Sequence, residues 1–409
     1  MSDLLRKLRI EQLLSDVDDG ALSFVEYQRF AVGTDKTKDF APGLSGISFL
    51  SLGLFGEVGS LLSELKKKIR DKEAYSSFRR VQMEEFGDVL WYLSVVASRS
   101  ALSLQTLVNG AIQIDVPEHP YRGLHNPTTF VDLMSTQDHV SNSDEASRDA
   151  LLRLGSHVGQ LLDDARALLK DATALDLFQS SLEHLLRFLL ISADAAGVSL
   201  AVAAEENIEK TVSRWPLHRN PGGRFDALSI PEEQFPNTID MAFRQKTIGS
   251  KKYVYQSWRG VNIGDRLTDN FSEEDDFRFH DVFHLSYYAV LGWSPVLRAL
   301  LRLKRKSEPK TDEVEDGARA ILIEEGVATW IFNHSKELQY FANIQSLDYS
   351  LLKAVQRLVV GYQVQERSLW EWESAILQGF QVFRELQKNG GGVAIADLEK
   401  RTISYEPLS

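Results

Sequence analysis

The chain of 409 residues contains no cysteine. Disulfide bonds, thiolate nucleophiles and cysteine-ligated zinc or iron–sulfur centres are therefore excluded. The sequence also lacks an apolar run near the ~20 residues of a membrane span, and its first residues lack the apolar core of a signal peptide. We therefore expect a cytoplasmic protein with no membrane partner.

The sequence also has no excess of basic residues: it contains 46 Lys and Arg residues and 58 Asp and Glu residues. An extended nucleic-acid surface needs a basic footprint, so we expect none here. The net negative charge does not exclude small phosphorylated ligands, because a bound divalent cation makes the local electrostatic potential positive. The one dense basic run, residues 302–306, is typical of a solvated helix end.

Apolar periodicity predicts a helical chain, and few segments alternate as strands do. Two linkers are predicted: the Pro-, Gly- and Arg-rich segment 217–237 and the proline-containing segment 117–143. The residues after the glycines at 390–392 are expected to be partly extended. The predicted helices cover about 46–70, 80–112, 145–170, 174–212, 278–304, 312–340, 347–367 and 368–388.

An internal repeat organises the first half of the chain. Residues 52–64 align without gaps on 152–164, and residues 97–104 align on 193–200. We interpret this as two helical repeats, at about 24–115 and about 143–216. The alternative is that two unrelated amphipathic helices look alike.

The two copies differ where the first copy is acidic. Glu57 aligns with a histidine, and Glu85 and Asp88 align with a serine and a histidine. One copy therefore looks built to hold a metal ion, and the other does not.

Glu85 and Asp88 lie one turn apart in a helix whose apolar side chains cover nearly its whole circumference, so this helix should be buried. Buried carboxylates are costly unless they are paired or bound to metal. Glu57 and Glu64 lie on the preceding helix, so the two helices can pool their carboxylates. Hard oxygen ligands at this density suit Mg²⁺ or Mn²⁺. For Glu64, and for Glu84 on the following helix, a solvated acidic face is the alternative.

The motifs that contain these residues resemble those of a known family. Residues 56–59 (Gly-Glu-Val-Gly) and 85–93 (Glu-Phe-Gly-Asp-Val-Leu-Trp-Tyr-Leu) resemble the MazG-like all-α nucleoside triphosphate pyrophosphohydrolases. The resemblance covers about 24–216, with the second repeat inserted. It implies Mg²⁺-dependent cleavage of a nucleoside triphosphate, NTP or dNTP, to the monophosphate and pyrophosphate.

The family's ligands come from a Glu-x-x-Glu and a Glu-x-x-Asp pair. Glu57, Glu85 and Asp88 match three of these positions and are the expected catalytic and metal-binding residues. Ser60, a neutral hydroxyl, stands at the fourth position. Glu64, one turn further on, and Glu84, which is within reach by spacing, are the candidates to replace it as a metal ligand.

Asn207, Lys210 and Arg214 share one face of the last helix of this module. An amide and two cations in a stripe can contact a nucleotide, although a solvated helix face is the alternative. Family members usually form dimers, so the tandem repeat resembles such a dimer fused into one chain. A homodimer of the whole chain also stays open.

Residues from about 238 resemble the C-terminal domain that accompanies some MazG-like modules, a domain for which the resemblance implies no activity. The matching strings include 264–270, 279–284, 291–295, 304–307, 315–317 and 324–325. The expected fold class is therefore all-α throughout: tandem repeats in a pseudo-dimeric bundle over 1–230, then a mainly helical domain over 238–409.

His280 and His284 have the i, i+4 spacing that lets two imidazoles share a metal, and Glu324 or Glu325 could complete the set. Alternatively, Asp281, Asp276 or backbone carbonyls satisfy the histidines, while Glu325 pairs with a cation such as Arg319. A phosphate pocket formed by Asp265, Arg266, Lys304 and Lys306 is a further alternative.

Three functions stay open from the sequence. The first is a pyrophosphohydrolase, the second a nucleotide sensor with little turnover that signals through the C-terminal domain. The third is separate metal-dependent chemistry in that domain.

Overall fold

The computed structural model describes residues 21–37, 41, 45–114, 121, 124–134, 144–216 and 218–408. The chain divides into two compact units, Met1–Trp215 and Pro216–Ser409. Much of the linker predicted at 117–143 lies outside the described residues.

The first unit is built from helices. They are α1 (Phe24–Thr34), α2 (Ser45–Asp71), α3 (Phe78–Arg99), α4 (Leu104–Gln113), α5 (Phe130–Met134), α6 (Asp144–Lys170), α7 (Leu175–Ala195) and α8 (Leu200–Arg214). Short 3₁₀ turns at Lys72–Ala74 and Ala172–Ala174 follow α2 and α6.

Two helical hairpins form the core of this unit. Helix α2 packs on α3, α6 packs on α7, and α2 also packs on α6. The paired helices have similar lengths, 27 and 22 residues in the first hairpin and 27 and 21 in the second. Similar lengths agree with a duplicated hairpin, but the repeat itself stays a prediction.

The last helix, α8, is fixed at both ends. The Ser199 hydroxyl accepts a hydrogen bond from the Val202 amide at 3.3 Å and caps its first turn. Pro216 follows immediately after Trp215 and disfavours helical backbone there. Helix α8 packs on α3 at Gly87, where a β-carbon would lie 2.7 Å from the Ala203 carbonyl oxygen. A glycine at this position therefore lets α8 approach the helix that carries Glu85 and Asp88.

Helix α2 (with the following turn, Ser45–Ala74) is long and apolar enough to cross a membrane by length and composition alone. Its most apolar stretch is 39% buried inside the unit, and core helices of globular domains meet the same criterion. Helices α7 and α8 meet it only jointly and are bent by 103° from each other.

The second unit combines helices with a sheet, so the all-α expectation is wrong for it. Five antiparallel strands lie in the order β3-β2-β1-β4-β5. They are β1 (Thr238–Ile248), β2 (Lys251–Trp258), β3 (Val261–Leu267), β4 (Gly391–Asp397) and β5 (Thr402–Glu406). The last two confirm the extended segment expected after the glycines at 390–392.

Strands β1 to β3 were missed because their alternation is short. Ile239, Met241 and Phe243 point into the core from β1, but the second half of that strand is mostly exposed. Strand β3 has no fully buried residue. A pattern of three apolar positions is too brief to stand out from the surrounding polar sequence.

The last helix, Leu369–Asn389, matches the helix predicted at 368–388, but the other helices of the second unit are shorter than the periodicity predicts. They are α9 (Asp281–Ser286), α10 (Pro295–Leu300), α11 (Pro309–Val314), α12 (Ala318–Ser335), α13 (Tyr349–Leu358) and α14 (Leu369–Asn389). Short 3₁₀ segments lie at Pro231–Glu233, Phe277–Phe279, Lys336–Phe341 and Gln363–Glu366. The helix predicted at 278–304 is interrupted because a π-helical segment, Tyr287–Leu291, follows α9 and Gly292 then adopts a left-handed conformation.

Helix α14 packs on α9 and on strands β4 and β5, which places α9 in the interior. Gly379 permits the contact, since a β-carbon there would lie 3.0 Å from the Ser286 β-carbon. All six residues of α9 are buried, including Asp281 and His284.

Candidate functional sites

Three carboxylates of the first unit converge, and we call them the acidic group: Glu57 on α2, and Glu85 and Asp88 on α3. One oxygen from each lies within 4.8 Å of one from each of the others. All three are half-buried. The structure thus brings together the three acids that the sequence singled out, at a spacing that one cation could bridge.

The acidic group is short of positive charge. Burial, followed by the charges of Asp88 and Glu57, raises the pKa of Glu85 to about 8. Burial and the charge of Asp88 raise the pKa of Glu57 to about 7, although Lys210 opposes this shift. Near neutral pH these two carboxyl groups therefore hold protons, because the charged forms repel each other in a poorly hydrated place.

Helix α8 supplies the cation next to this group. The Lys210 ammonium donates to Asp88 Oδ1 and lies 3.7 Å from Glu84 Oε1. Burial would lower the pKa of Lys210, but Asp88 and Glu84 outweigh it and the pKa is raised. Lys210 is therefore a charged partner of Asp88.

Asn207 holds the same carboxylate. Its amide Nδ2 donates to Asp88 Oδ1 at 2.9 Å, while its Oδ1 accepts from the buried Tyr27 hydroxyl at 3.1 Å. Two of the three predicted nucleotide contacts thus lie against the acidic group. Arg214, the third, lies further along α8, with its guanidinium 4.5 Å from the centre of the Trp215 ring.

Glu64 lies two turns beyond Glu57, about 10 Å along the α2 axis. Its buried carboxylate accepts from the Tyr75 hydroxyl and, at 2.5 Å, from Lys67 Nζ. Among the described residues it does not belong to the acidic group. We therefore correct the expectation that Glu64 replaces the missing fourth ligand: its carboxylate already has two partners. Ser60 is half-buried, one turn from Glu57.

Sequence reasoning missed two tyrosines beside the acidic group. Tyr27 orients Asn207 as described, and burial together with the charge of Asp88 raises its pKa well above the usual value. Burial and the charges of Glu57 and Asp88 raise the pKa of Tyr92 to about 12. Tyr27 opens the segment that resembles the family, but its partner lies 180 residues away.

In the predicted second repeat, two of the three positions aligned with the acids also lie close together. The rings of His157 and His184 stack with centroids 5.8 Å apart. Ser181 donates to Asp164 at 2.5 Å. This copy replaces the three acids with neutral or weakly basic groups.

The second unit contains a histidine–carboxylate group formed by His280, Asp281, His284 and Glu325. Ligand atoms of His280, Asp281 and His284 lie within 4.8 Å of one another. Glu325 Oε2 is 3.5 Å from His284 Nε2 and 4.0 Å from His280 Nε2. The structure therefore joins the two predicted histidines and Glu325, and it adds Asp281.

Other residues hold these side chains in place. His280 Nδ1 lies 2.8 Å from the Phe277 carbonyl oxygen, and His284 Nδ1 lies 2.9 Å from Glu324 Oε1. Gln256 donates to Asp281 Oδ2. Asp276, the other predicted partner, pairs instead with Arg278.

Attraction between the imidazoles and the carboxylates dominates the electrostatics of this group. Burial would raise the pKa of Asp281, but His280 lowers it to about 2. Burial would lower the pKa of His284, but Glu324 and Glu325 raise it. His280, Asp281 and Glu325 also line a cavity of about 610 Å³.

The basic run and the predicted phosphate pocket are arranged differently from expectation. Arg305 is not solvated but buried, with its guanidinium on Asp316 Oδ1 at 2.7 Å. Asp265 and Arg266 are exposed on β3, and the Arg266 guanidinium lies over the Tyr253 ring. Lys304 is half-buried and Lys306 is exposed, in the segment after α10.

Comparison with known proteins relates the second unit to a family. Residues 221–409 match the family model of the MazG C-terminal domain. The second unit is therefore similar to MazG C-terminal domains. A second comparison finds 33% identity over 66 residues with the Gene 37 protein of Mycobacterium phage L5, which is 16% of this chain. The chain spans only 58% of the length of that phage protein, whose name states no activity. No solved structure matches.

Proposed function

We propose that the first unit hydrolyses nucleoside triphosphates, NTP or dNTP, to the monophosphate and pyrophosphate with a divalent metal ion. The convergence of Glu57, Glu85 and Asp88 carries the proposal. Isolated surface acids do not meet at half-buried positions from two packed helices. The similarity of residues 221–409 to MazG C-terminal domains agrees with a MazG-related role but does not specify a reaction.

The acidic group suits Mg²⁺ or Mn²⁺. Its donors are carboxylate oxygens, the ligands these hard cations prefer, and cysteine and histidine are absent from it. The raised pKa values of Glu57 and Glu85 indicate negative charge that Lys210 alone does not balance. A bound divalent ion would supply that balance, neutralise the polyphosphate and acidify a coordinated water.

The chain's own residues would have three tasks. Glu57, Glu85 and Asp88 would hold the cation, and Tyr27 and Asn207 would fix the orientation of Asp88. Lys210 is a half-buried, charged ammonium beside Asp88 and would meet a phosphate oxygen of the nucleotide. The reaction itself adds water at the α-phosphorus and breaks the bond to the bridging oxygen, so that pyrophosphate leaves.

The test is incubation of the full chain with each NTP and dNTP plus Mg²⁺ or Mn²⁺, with monophosphate and pyrophosphate separated by chromatography. Asp88→Asn and Glu85→Gln should each reduce pyrophosphate release by at least about 100-fold. Glu73→Gln is the control, because that side chain is 99% exposed. Release that is unchanged in Asp88→Asn, with a normal circular dichroism spectrum, would refute the assignment.

A nucleotide sensor is the second candidate. It is favoured by the Lys210–Asp88 contact and by the neutral Ser60, because both lower the negative charge available to a cation. In the same assay a sensor would bind a triphosphate tightly and leave it intact. Monophosphate formation with several turnovers per chain would exclude it.

We also propose that the first unit is a fused dimer of the two repeats. The observed contact runs from Asn207 and Lys210, which follow the second repeat's hairpin, to Asp88 in the first. One chain would then complete the site that two subunits complete in the related enzymes. A chain that is monomeric by light scattering yet fully active would support this. An isolated segment 24–115 with the full activity would contradict it.

A further inference from the structure

We propose that His280, Asp281, His284 and Glu325 bind one divalent first-row transition metal ion in the second unit, on the wall of its cavity. This site is separate from the acidic group and uses different donor atoms. The proposal does not depend on nucleotide hydrolysis by the first unit.

The donor atoms already lie close to one another. The ligand atoms of His280, Asp281 and His284 lie within 4.8 Å of one another, and Glu325 Oε2 lies 3.5 Å from His284 Nε2. Metal–ligand bonds of about 2.0–2.2 Å place two ligands of one ion at most about 4.4 Å apart. Small side-chain adjustments are therefore enough to bring all four donors onto one ion.

Both imidazoles are oriented for metal binding. The Nδ1–H of His280 donates to the Phe277 carbonyl oxygen, and the Nδ1–H of His284 donates to Glu324 Oε1. Each Nε2 lies against a carboxylate: His280 Nε2 is 2.9 Å from Asp281 Oδ1, and His284 Nε2 is 3.5 Å from Glu325 Oε2. An ion that displaced a proton from these contacts would take up the Nε2 lone pairs. A carboxylate behind a metal-binding imidazole is the usual way to fix its tautomer.

Glu324 is dedicated to this supporting role. It is fully buried, and besides His284 it accepts from the Ser294 hydroxyl at 2.6 Å and the Val296 amide at 2.8 Å. Gln256 likewise fixes the second oxygen of Asp281. The supporting shell is thus assembled around the histidine–carboxylate group.

The strongest independent sign is His284 Nε2. His284 is fully buried, yet among the described residues its Nε2 makes no hydrogen bond. A buried polar atom without a well-formed hydrogen bond is costly, and the nearest carboxylate oxygen, Glu325 Oε2, lies 3.5 Å away. A metal ion would satisfy it. The π-helical segment directly after α9 agrees, because such segments are frequent at functional sites.

The donor set selects the class of metal. Two imidazoles with one or two carboxylates suit Zn²⁺, Mn²⁺ or Fe²⁺ and not Mg²⁺ or Ca²⁺, which prefer oxygen alone. The cavity of about 610 Å³ borders His280, Asp281 and Glu325 but not His284. A ligand or water in that cavity would therefore reach the ion past His280, Asp281 and Glu325.

The test is titration of the chelator-treated full chain with Co²⁺ alone, followed by its visible absorption and by imidazole signals in proton NMR. Besides any Co²⁺ that the acidic group takes up, wild type should bind one Co²⁺ that gives paramagnetically shifted imidazole N–H signals. His284→Gln and His280→Gln should lose those signals, and Glu325→Gln should weaken the binding at least about 10-fold. His334→Gln is the control, because that exposed histidine on α12 stacks on Trp330 outside the group.

Circular dichroism checks that each variant is folded. Glu325 is 38% exposed, so Glu325→Gln keeps the test decisive if a histidine variant unfolds. Wild type without shifted imidazole signals, or Glu325→Gln with unchanged Co²⁺ affinity, would overturn the proposal. The histidines would then be charged partners of Asp281 and Glu324.

Discussion

Raising the pH should strengthen cation binding at the acidic group, because the cation must displace protons from Glu57 and Glu85. Their pKa values are about 7 and about 8, both raised by burial and by neighbouring acids. At pH about 7, the pair then carries roughly 1.4 protons, and at pH about 8 roughly 0.6. Cation binding releases these protons, so the metal and the protons compete.

The size of the effect follows from the same two values. Between pH about 6 and pH about 8, the apparent dissociation constant for the cation should fall by roughly two to three orders of magnitude, or about 3–4 kcal/mol. Without metal, raising the pH has the opposite effect: it destabilises the folded protein. Both carboxyl groups have a folded-state pKa above the reference value of 4.5. The free energy of unfolding should therefore decrease as the pH rises from about 4.5 to about 8.

Calorimetric titration with Mn²⁺ in buffers of different ionisation enthalpy measures both the affinity and the number of protons released. Glu85→Gln removes the group with the higher pKa, so most of the proton release at pH about 8 should disappear. Glu73→Gln, a change on the surface, should leave affinity and proton count unaltered. An affinity that is constant between pH about 6 and 8, with no proton release, would refute the electrostatic reasoning.

Three further predictions concern packing and charge. Gly87→Ala should lower the free energy of unfolding by about 1–3 kcal/mol in thermal denaturation, because its β-carbon would lie 2.7 Å from a carbonyl oxygen of α8. The control is Gly59→Ala, whose β-carbon meets nothing within 4 Å and which should leave the stability unchanged or raise it. Asp316→Asn should cost about 3–5 kcal/mol in urea unfolding, since it strips the buried Arg305 of its ion pair, and a loss below about 1 kcal/mol would contradict this. Lys210→Met should tighten Mn²⁺ binding by about 10-fold or more yet weaken nucleotide binding, measured by calorimetry; tighter binding of both would show that Lys210 does not meet the phosphates.

The acidic group could be predicted from sequence because its evidence is local. Glu85 and Asp88 are one turn apart in an apolar helix, and a hairpin brings Glu57 of the preceding helix beside them. The contacts of Asp88 with Asn207 and Lys210 span 119 and 122 residues. No periodicity reports such pairings, so these two residues were predicted as nucleotide contacts and not as partners of Asp88.

The second unit shows where pattern reading fails for physical reasons. Its sheet pairs β1 with β4 across some 150 residues of intervening chain, and strand pairing of that kind leaves little trace in local alternation. Arg305 looks like part of a solvated basic run, yet it is buried because Asp316 lies opposite it. Asp281 was considered only as a partner that satisfies the histidines, although its oxygen lies with both imidazoles.

The two candidate sites differ in a way that makes their metals separable. Glu57, Glu85 and Asp88 offer only oxygen, and Glu57 and Glu85 are partly protonated near neutral pH. That site should therefore favour a hard, well-hydrated ion and bind it better as the pH rises. The histidine–carboxylate group offers nitrogen as well, and the buried Glu324, itself held by Ser294, fixes the His284 ring through Nδ1. Transition ions should therefore occupy it at concentrations where Mg²⁺ does not. A Co²⁺ signal that persists in excess Mg²⁺ would belong to the second unit, and nucleotide hydrolysis that persists in His284→Gln would belong to the first.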